Sequence, residues 1–83
     1  MHLEILTPEK KVFEGEVSIA TFPGADGSFQ VMDNHAPLIS LLKEGLVEYK
    51  SKEAASSLQI TGGVVEVLKN NVVLLADGIV GPS

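Results

Sequence analysis

The chain has 83 residues, with 6 Lys, no Arg, 11 Asp plus Glu, 2 His, no Cys and no Trp. A net charge of −5 with scattered lysines leaves no basic stripe for nucleic acid, and the lack of Cys excludes a disulfide framework or a thiolate metal site. A hydrophobic share of 45% argues for one folded domain rather than disorder, while the longest apolar run, residues 72–76, is far short of the about 20 residues that cross a bilayer as a helix.

Period-two alternation recurs along the chain, and no window sustains helical spacing beyond about two turns. The pattern predicts a nearly all-β protein. Leu3 and Ile5 alternate with His2 and Glu4, and Thr7-Pro8-Glu9-Lys10 has turn composition. Residues 12–22 read as one long, bent strand with a bulge or bend at Gly15 and with Val17, Ile19 and Thr21 on one face. Residues 23–28, Pro23-Gly24-Ala25-Asp26-Gly27-Ser28, gather turn formers into the clearest loop. A short strand at residues 29–32 precedes a second irregular segment, Asp33-Asn34-His35-Ala36-Pro37. Residues 38–42 fit either one helical turn or a buried strand. Residues 46–50 and 58–62 read as a hairpin around a polar loop at 51–57, and residues 64–69 and 72–77 as a second hairpin turning at Asn70-Asn71. On its strands Val65, Val67, Val73 and Leu75 are assigned to the core. Short strands without room for crossover helices imply antiparallel pairing in a flattened sandwich or barrel.

Reactive constellations are sparse. Asp26, Asp33 and His35 lack metal-ligand spacing. The glycine-rich segment 24–28 has neither the Lys-Ser/Thr pair nor the following helix of a phosphate cradle. Ser28, His35 and Asp33 carry no nucleophile-elbow pattern. No catalytic residue, cofactor site or metal site is therefore expected. What remains is an acidic β domain that presents polar loops to a partner.

Five segments carry a resemblance: Val12-Phe13-Glu14-Gly15, Phe22-Pro23-Gly24-Ala25-Asp26-Gly27, Asn34-His35-Ala36-Pro37-Leu38, Thr61-Gly62-Gly63-Val64-Val65-Glu66-Val67 and Asn71-Val72-Val73-Leu74-Leu75-Ala76-Asp77. In order and spacing they resemble the epsilon subunits of the F-type ATP synthases over about residues 2–78. The resemblance implies a flattened sandwich of ten short strands that is a non-catalytic rotor part at the foot of the central stalk. It would hold the gamma subunit on one surface and the c-subunit ring on another, coupling ion translocation to ATP synthesis. The chain would join the complex as a single copy rather than a homo-oligomer, and would bind no nucleic acid. It would reach the cytoplasmic face of the bacterial cell membrane only through that complex.

By resemblance, Gly24, Ala25, Asp26, Gly27 and Ser28 face the c ring together with Asn34, His35, Ala36 and Pro37 at the same end of the sandwich. His35, Thr61, Gly62 and Gly63 lie near gamma. Two plainer readings stand beside these: His35 fixes its own loop through a backbone group, and Gly62-Gly63 serve a close strand crossing or a positive φ. Asp33-Asn34 stands where the family has a Pro-Gly turn. The family's C-terminal pair of helices is not expected: residues 79–83 form a short tail after a domain at 1–78, as in a short bacterial form or a piece cut at the boundary. On this reading the chain neither inhibits the catalytic head nor binds ATP. The alternative is an unrelated small β-sandwich that binds a ligand or a protein.

Overall fold

A computed structural model describes residues 1–80. They form ten strands and no helix: β1 His2–Leu6, β2 Lys11–Glu16, β3 Ile19–Gly24, β4 Gly27–Met32, β5 Leu38–Leu42, β6 Gly45–Lys50, β7 Ala55–Ile60, β8 Gly63–Leu68, β9 Asn71–Ala76 and β10 Ile79–Val80. The tail expected from residue 79 thus opens with two residues paired to β7. Residues 81–83 lie outside the described part.

The strands make one continuous sheet that curls into two limbs. One limb runs β4-β3-β6-β7-β10 and the other β5-β8-β9-β1-β2, joined where Gly24 at the end of β3 pairs with Leu42 of β5. Pairing is antiparallel except between β1 and β9: β1 lies between β2, its antiparallel hairpin partner, and β9, to which it is parallel. Both limbs feed one core. Leu3, Ile5, Val65, Val67, Val72 and Leu74 come from one, and Ala20, Phe22, Val31, Val47 and Ile60 from the other. Phe13 of β2 meets Tyr49 of β6 across the limbs with ring centroids 4.6 Å apart, a spacing suited to tilted aromatic pairs.

Several expectations need correction. The long strand over residues 12–22 is broken at Val17-Ser18, where Val17 N donates to Met1 O at 2.9 Å and Ser18 N to Lys50 O at 2.7 Å. The chain crosses there from one limb to the other, so the inward set changes parity: Val17 is buried, but beyond it Ala20 and Phe22 point inward rather than Ile19 and Thr21. The extra residue of the bulge is Val12, since Ile5 pairs with Phe13 and Leu6 with Lys11, whereas Gly15 pairs regularly with Leu3.

The six-residue loop at 23–28 is mostly strand, closed by a tight turn at Ala25-Asp26. Pro23 fits within β3 because its missing N–H falls where β3 has left β6, last paired at Thr21, and has not yet met β5 at Gly24. Residues 38–42 are strand. The 51–57 loop shortens to residues 51–54, with Ser51 N donating to Ala54 O at 2.8 Å.

The second hairpin turns at Lys69-Asn70, not Asn70-Asn71. Both residues have positive φ, 51° and 63°, and Leu68 pairs with Asn71, the geometry of the twist-matched hairpin turn. A two-residue turn sets odd residues opposite even ones. Inward Val65 and Val67 therefore face Leu74 and Val72, and Leu75, assigned to the core, is 52% exposed.

Candidate interaction surfaces

The β3–β4 turn is built by two glycines. A Cβ on Gly24 would lie 2.5 Å from the Gly27 carbonyl and 2.9 Å from the Phe29 ring, so only glycine closes the hairpin there. Ala25 N donates to Leu41 O at 3.0 Å and Lys43 N to Pro23 O at 2.9 Å, which fixes the turn against β5. Ala25, Asp26, Gly27 and Ser28 are exposed, Gly24 is buried, and an open cleft of about 490 Å³ separates the turn from Ile39, Ser40 and Leu41. The turn offers a partner one carboxylate among small residues.

The segment after β4 is organised by its own hydrogen bonds. His35 N donates to Met32 O at 3.1 Å around Asn34, whose φ of 65° supplies the left-handed residue that glycine would supply in a Pro-Gly turn. Asn34 N donates to the Asn70 side-chain oxygen at 2.8 Å, and His35 Nδ1 donates to the Ala36 carbonyl at 2.7 Å, leaving Nε2 free of that bond. Asp33 Oδ1 accepts from the Met1 ammonium at 2.6 Å, while Glu16 stands 3.6 Å away. That charge-assisted bond raises the ammonium pKa against the opposing effect of desolvation.

The expected cluster therefore does not form. Residues 24–28 and 34–37 occupy opposite ends of β4, roughly 17 Å apart at strand rise. Thr61-Gly62-Gly63 instead joins the Gly24 end, because Leu42 pairs with both Gly24 and Gly63. Gly63 has a φ of 156°, and a Cβ there would fall on the Leu75 carbonyl, so Gly63 serves a close strand crossing, while Gly62 has a φ of 149°. Ser28, His35 and Asp33 cannot converge for the same reason as the loops. Among the described residues no three His, Asp or Glu side chains are arranged to hold a metal ion.

Another surface was not singled out from the sequence. On the outward side of β5, β8, β9 and β1, Leu41 lies across from Val64, Val64 from Leu75, and Leu75 from Leu6, giving an apolar row over four adjacent strands. Leu41 is 67% exposed, and Ile39 beside it 70%. The next row is Ile39, Glu66, Val73 and Glu4. Toward β2 the face becomes charged. Lys11 Nζ lies 2.6 Å from Glu14 Oε1 and 3.3 Å from Glu4 Oε2, and His2 sets Nε2 2.9 Å from Glu14 and Nδ1 3.3 Å from Glu16. These bonds raise the pKa of His2 and Lys11 and lower that of Glu14. The sequence signal for this face is that residues 72–75 and 38–42 are apolar at nearly every position, as strands covered on both sides are.

The two curled limbs, the apolar outer row and the tight exposed turn define a class of small all-β sandwich domains. The family described as "ATP synthase, Delta/Epsilon chain, beta-sandwich domain" matches residues 1–82, and the chain belongs to it. It is 43% identical to the ATP synthase epsilon chain of Campylobacter curvus (strain 525.92), over 96% of this chain and 63% of that one. To the ATP synthase epsilon chain of Chlorobium limicola it is 45% identical, over 93% and 89%. The chain thus spans a little under two thirds of the length of the Campylobacter relative. Its fold matches a chain of the Tetrahymena thermophila mitochondrial ATP synthase central stalk and c ring with a TM-score of 0.81 at 20% identity, covering 95% of this chain and 64% of that one. It also matches a chain of the Euglena gracilis mitochondrial ATP synthase assembly with a TM-score of 0.87 at 20% identity, covering 94% and 51%.

Proposed function

We propose that the chain is a non-catalytic rotor component of an F-type ATP synthase, holding gamma on one surface and meeting the c ring with another, so that ion translocation drives ATP synthesis. Family membership displaces the alternative of an unrelated ligand-binding sandwich. The observation that carries the reading is the apolar row Leu41, Val64, Leu75 and Leu6, on a domain whose relatives are named as ATP synthase epsilon chains. A solitary sandwich gains nothing by holding those side chains in water, whereas a permanent partner covers them.

In this arrangement gamma covers the outer face of β5, β8, β9 and β1. Asn34, His35, Ala36 and Pro37 lead directly into β5 and belong with that contact. Gly24, Ala25, Asp26, Gly27 and Ser28 present their carboxylate to the polar loops of the ring, and Thr61, Gly62 and Gly63 border both. The chain then sits at the cytoplasmic face of the bacterial cell membrane, held only through the complex. The chain contains no Cys, so Asp26→Cys introduces a single thiol. It should cross-link to a cysteine placed in the ring's polar loop, and adducts with head subunits alone would refute the ring assignment.

A further inference from the structure

On the outward face Glu66 stands apart from the other charges. It occupies the middle of β8, with Ile39 directly across on β5 and Val73 across on β9, and it follows Val64 of the apolar row on its own strand. Leu68 continues the same side of β8 and is 48% exposed. The other acids of this face are engaged: Glu4 and Glu14 share Lys11, Glu14 and Glu16 hold His2, and Glu16 also approaches the Met1 ammonium. Among the described residues Glu66 has no ion-pair partner. In the free chain water solvates the carboxylate.

Covering the face changes that. A partner seated on Ile39, Leu41, Leu75 and Val73 removes water from Glu66 as well, because it stands between them. A carboxylate desolvated without a countercharge opposes docking, and one that meets a countercharge in an apolar ring is held in a single register. We propose that Glu66 is the ionic anchor of this face and that the covering surface of the partner carries a lysine or arginine set among apolar side chains. The inference rests on the reading that gamma covers this face, and it adds the chemistry that gamma must present.

The measurement uses the full chain and its cognate gamma subunit, the latter immobilised, with the dissociation constant read at two salt concentrations. Five chains are compared: wild type, Leu41→Ala, Glu66→Gln, Glu66→Lys and Glu48→Gln. Glu48 is an exposed acid on β6 of the other limb and serves as the control. Thermal melts establish that each variant is folded. The expected result is weaker binding for Leu41→Ala, a loss of about 10-fold or more for Glu66→Gln with a smaller salt dependence, no detectable binding for Glu66→Lys, and no change for Glu48→Gln. If Leu41→Ala weakens binding while Glu66→Gln leaves it unchanged or tightens it, the covering surface is wholly apolar; the anchor is then overturned and the docking face stands. If folded wild type does not bind gamma, or Leu41→Ala has no effect, the face itself is misassigned and the anchor falls with it.

Discussion

Leu74 and Leu75 are neighbours on β9 with opposite fates, and truncating each separates the core from the proposed docking face. Leu74 is 0% exposed and lies across from Val65, whereas Leu75 is 52% exposed and lies across from Val64 and Leu6. Leu74→Ala removes a fully enclosed side chain from a core shared by both limbs, which costs about 2–5 kcal/mol. A domain of this length has only about 4–12 kcal/mol of total stability. With a urea slope of about 1 kcal/mol per M, the unfolding midpoint should fall by roughly 2 M or more. Leu75→Ala should cost below about 1 kcal/mol, as truncations on a wet face do. Its effect should appear in gamma binding instead. Far-UV circular dichroism and the fluorescence of Tyr49, the single Tyr in a chain without Trp, can follow the transition. Equal destabilisation by the two variants, or a larger effect at Leu75, would invert the register of β9 and refute both the parity reasoning and the docking face built on it.

The Met1 ammonium should make stability fall in the alkaline range. Its folded pKa lies above the ordinary 8.0 because Asp33 holds the charged form, so its contribution is complete below pH 8.0 and is lost as pH rises through the raised folded value. Asp33→Asn should accordingly lower the melting temperature at pH 7, with the gap to wild type closing well above pH 8; a gap constant across that range would assign the loss to another Asp33 contact. Gly63→Ala should destabilise by at least about 1–3 kcal/mol from backbone strain alone, since the added carbon meets the Leu75 carbonyl and approaches Ala76 Cα at 3.0 Å. A melting temperature equal to wild type would mean that the β8–β9 crossing is looser than described.

How much of the fold was legible depended on whether a signal was local. Asn-rich and glycine-rich turns, period-two alternation and the absence of helical periodicity are local, and the all-β class and both hairpins follow from them. The break at Val17-Ser18 is not local. Nothing in Glu16-Val17-Ser18-Ile19 marks an end, because the cause is the pair of remote carbonyls, Met1 O and Lys50 O, that take the two amides into different limbs. The parallel β1–β9 pair has the same character, joining residues nearly a whole chain apart. In the 69–70 turn the Asn-Asn pair points one residue too far along the chain, since Lys69 gives no hint that it adopts a positive φ.

The candidate surfaces divide along the same line. Exposure of Ala25, Asp26, Gly27 and Ser28 follows from turn composition, but the distance between that turn and Asn34-His35-Ala36-Pro37 follows from the length of β4, which the six-residue loop reading had shortened. The apolar outer face was hidden for a different reason. Alternation identifies the inward side of a strand only when the other side is wet. Leu38-Ile39-Ser40-Leu41-Leu42 and Val72-Val73-Leu74-Leu75 violate that condition, so the first was compatible with helix or strand and the second was assigned the wrong face. Both ambiguities have one physical source. Strands with apolar residues on both sides suit cover on both sides; here the core covers one, and the other, carrying Leu41, Val64 and Leu75, is the side that the proposed gamma contact would cover.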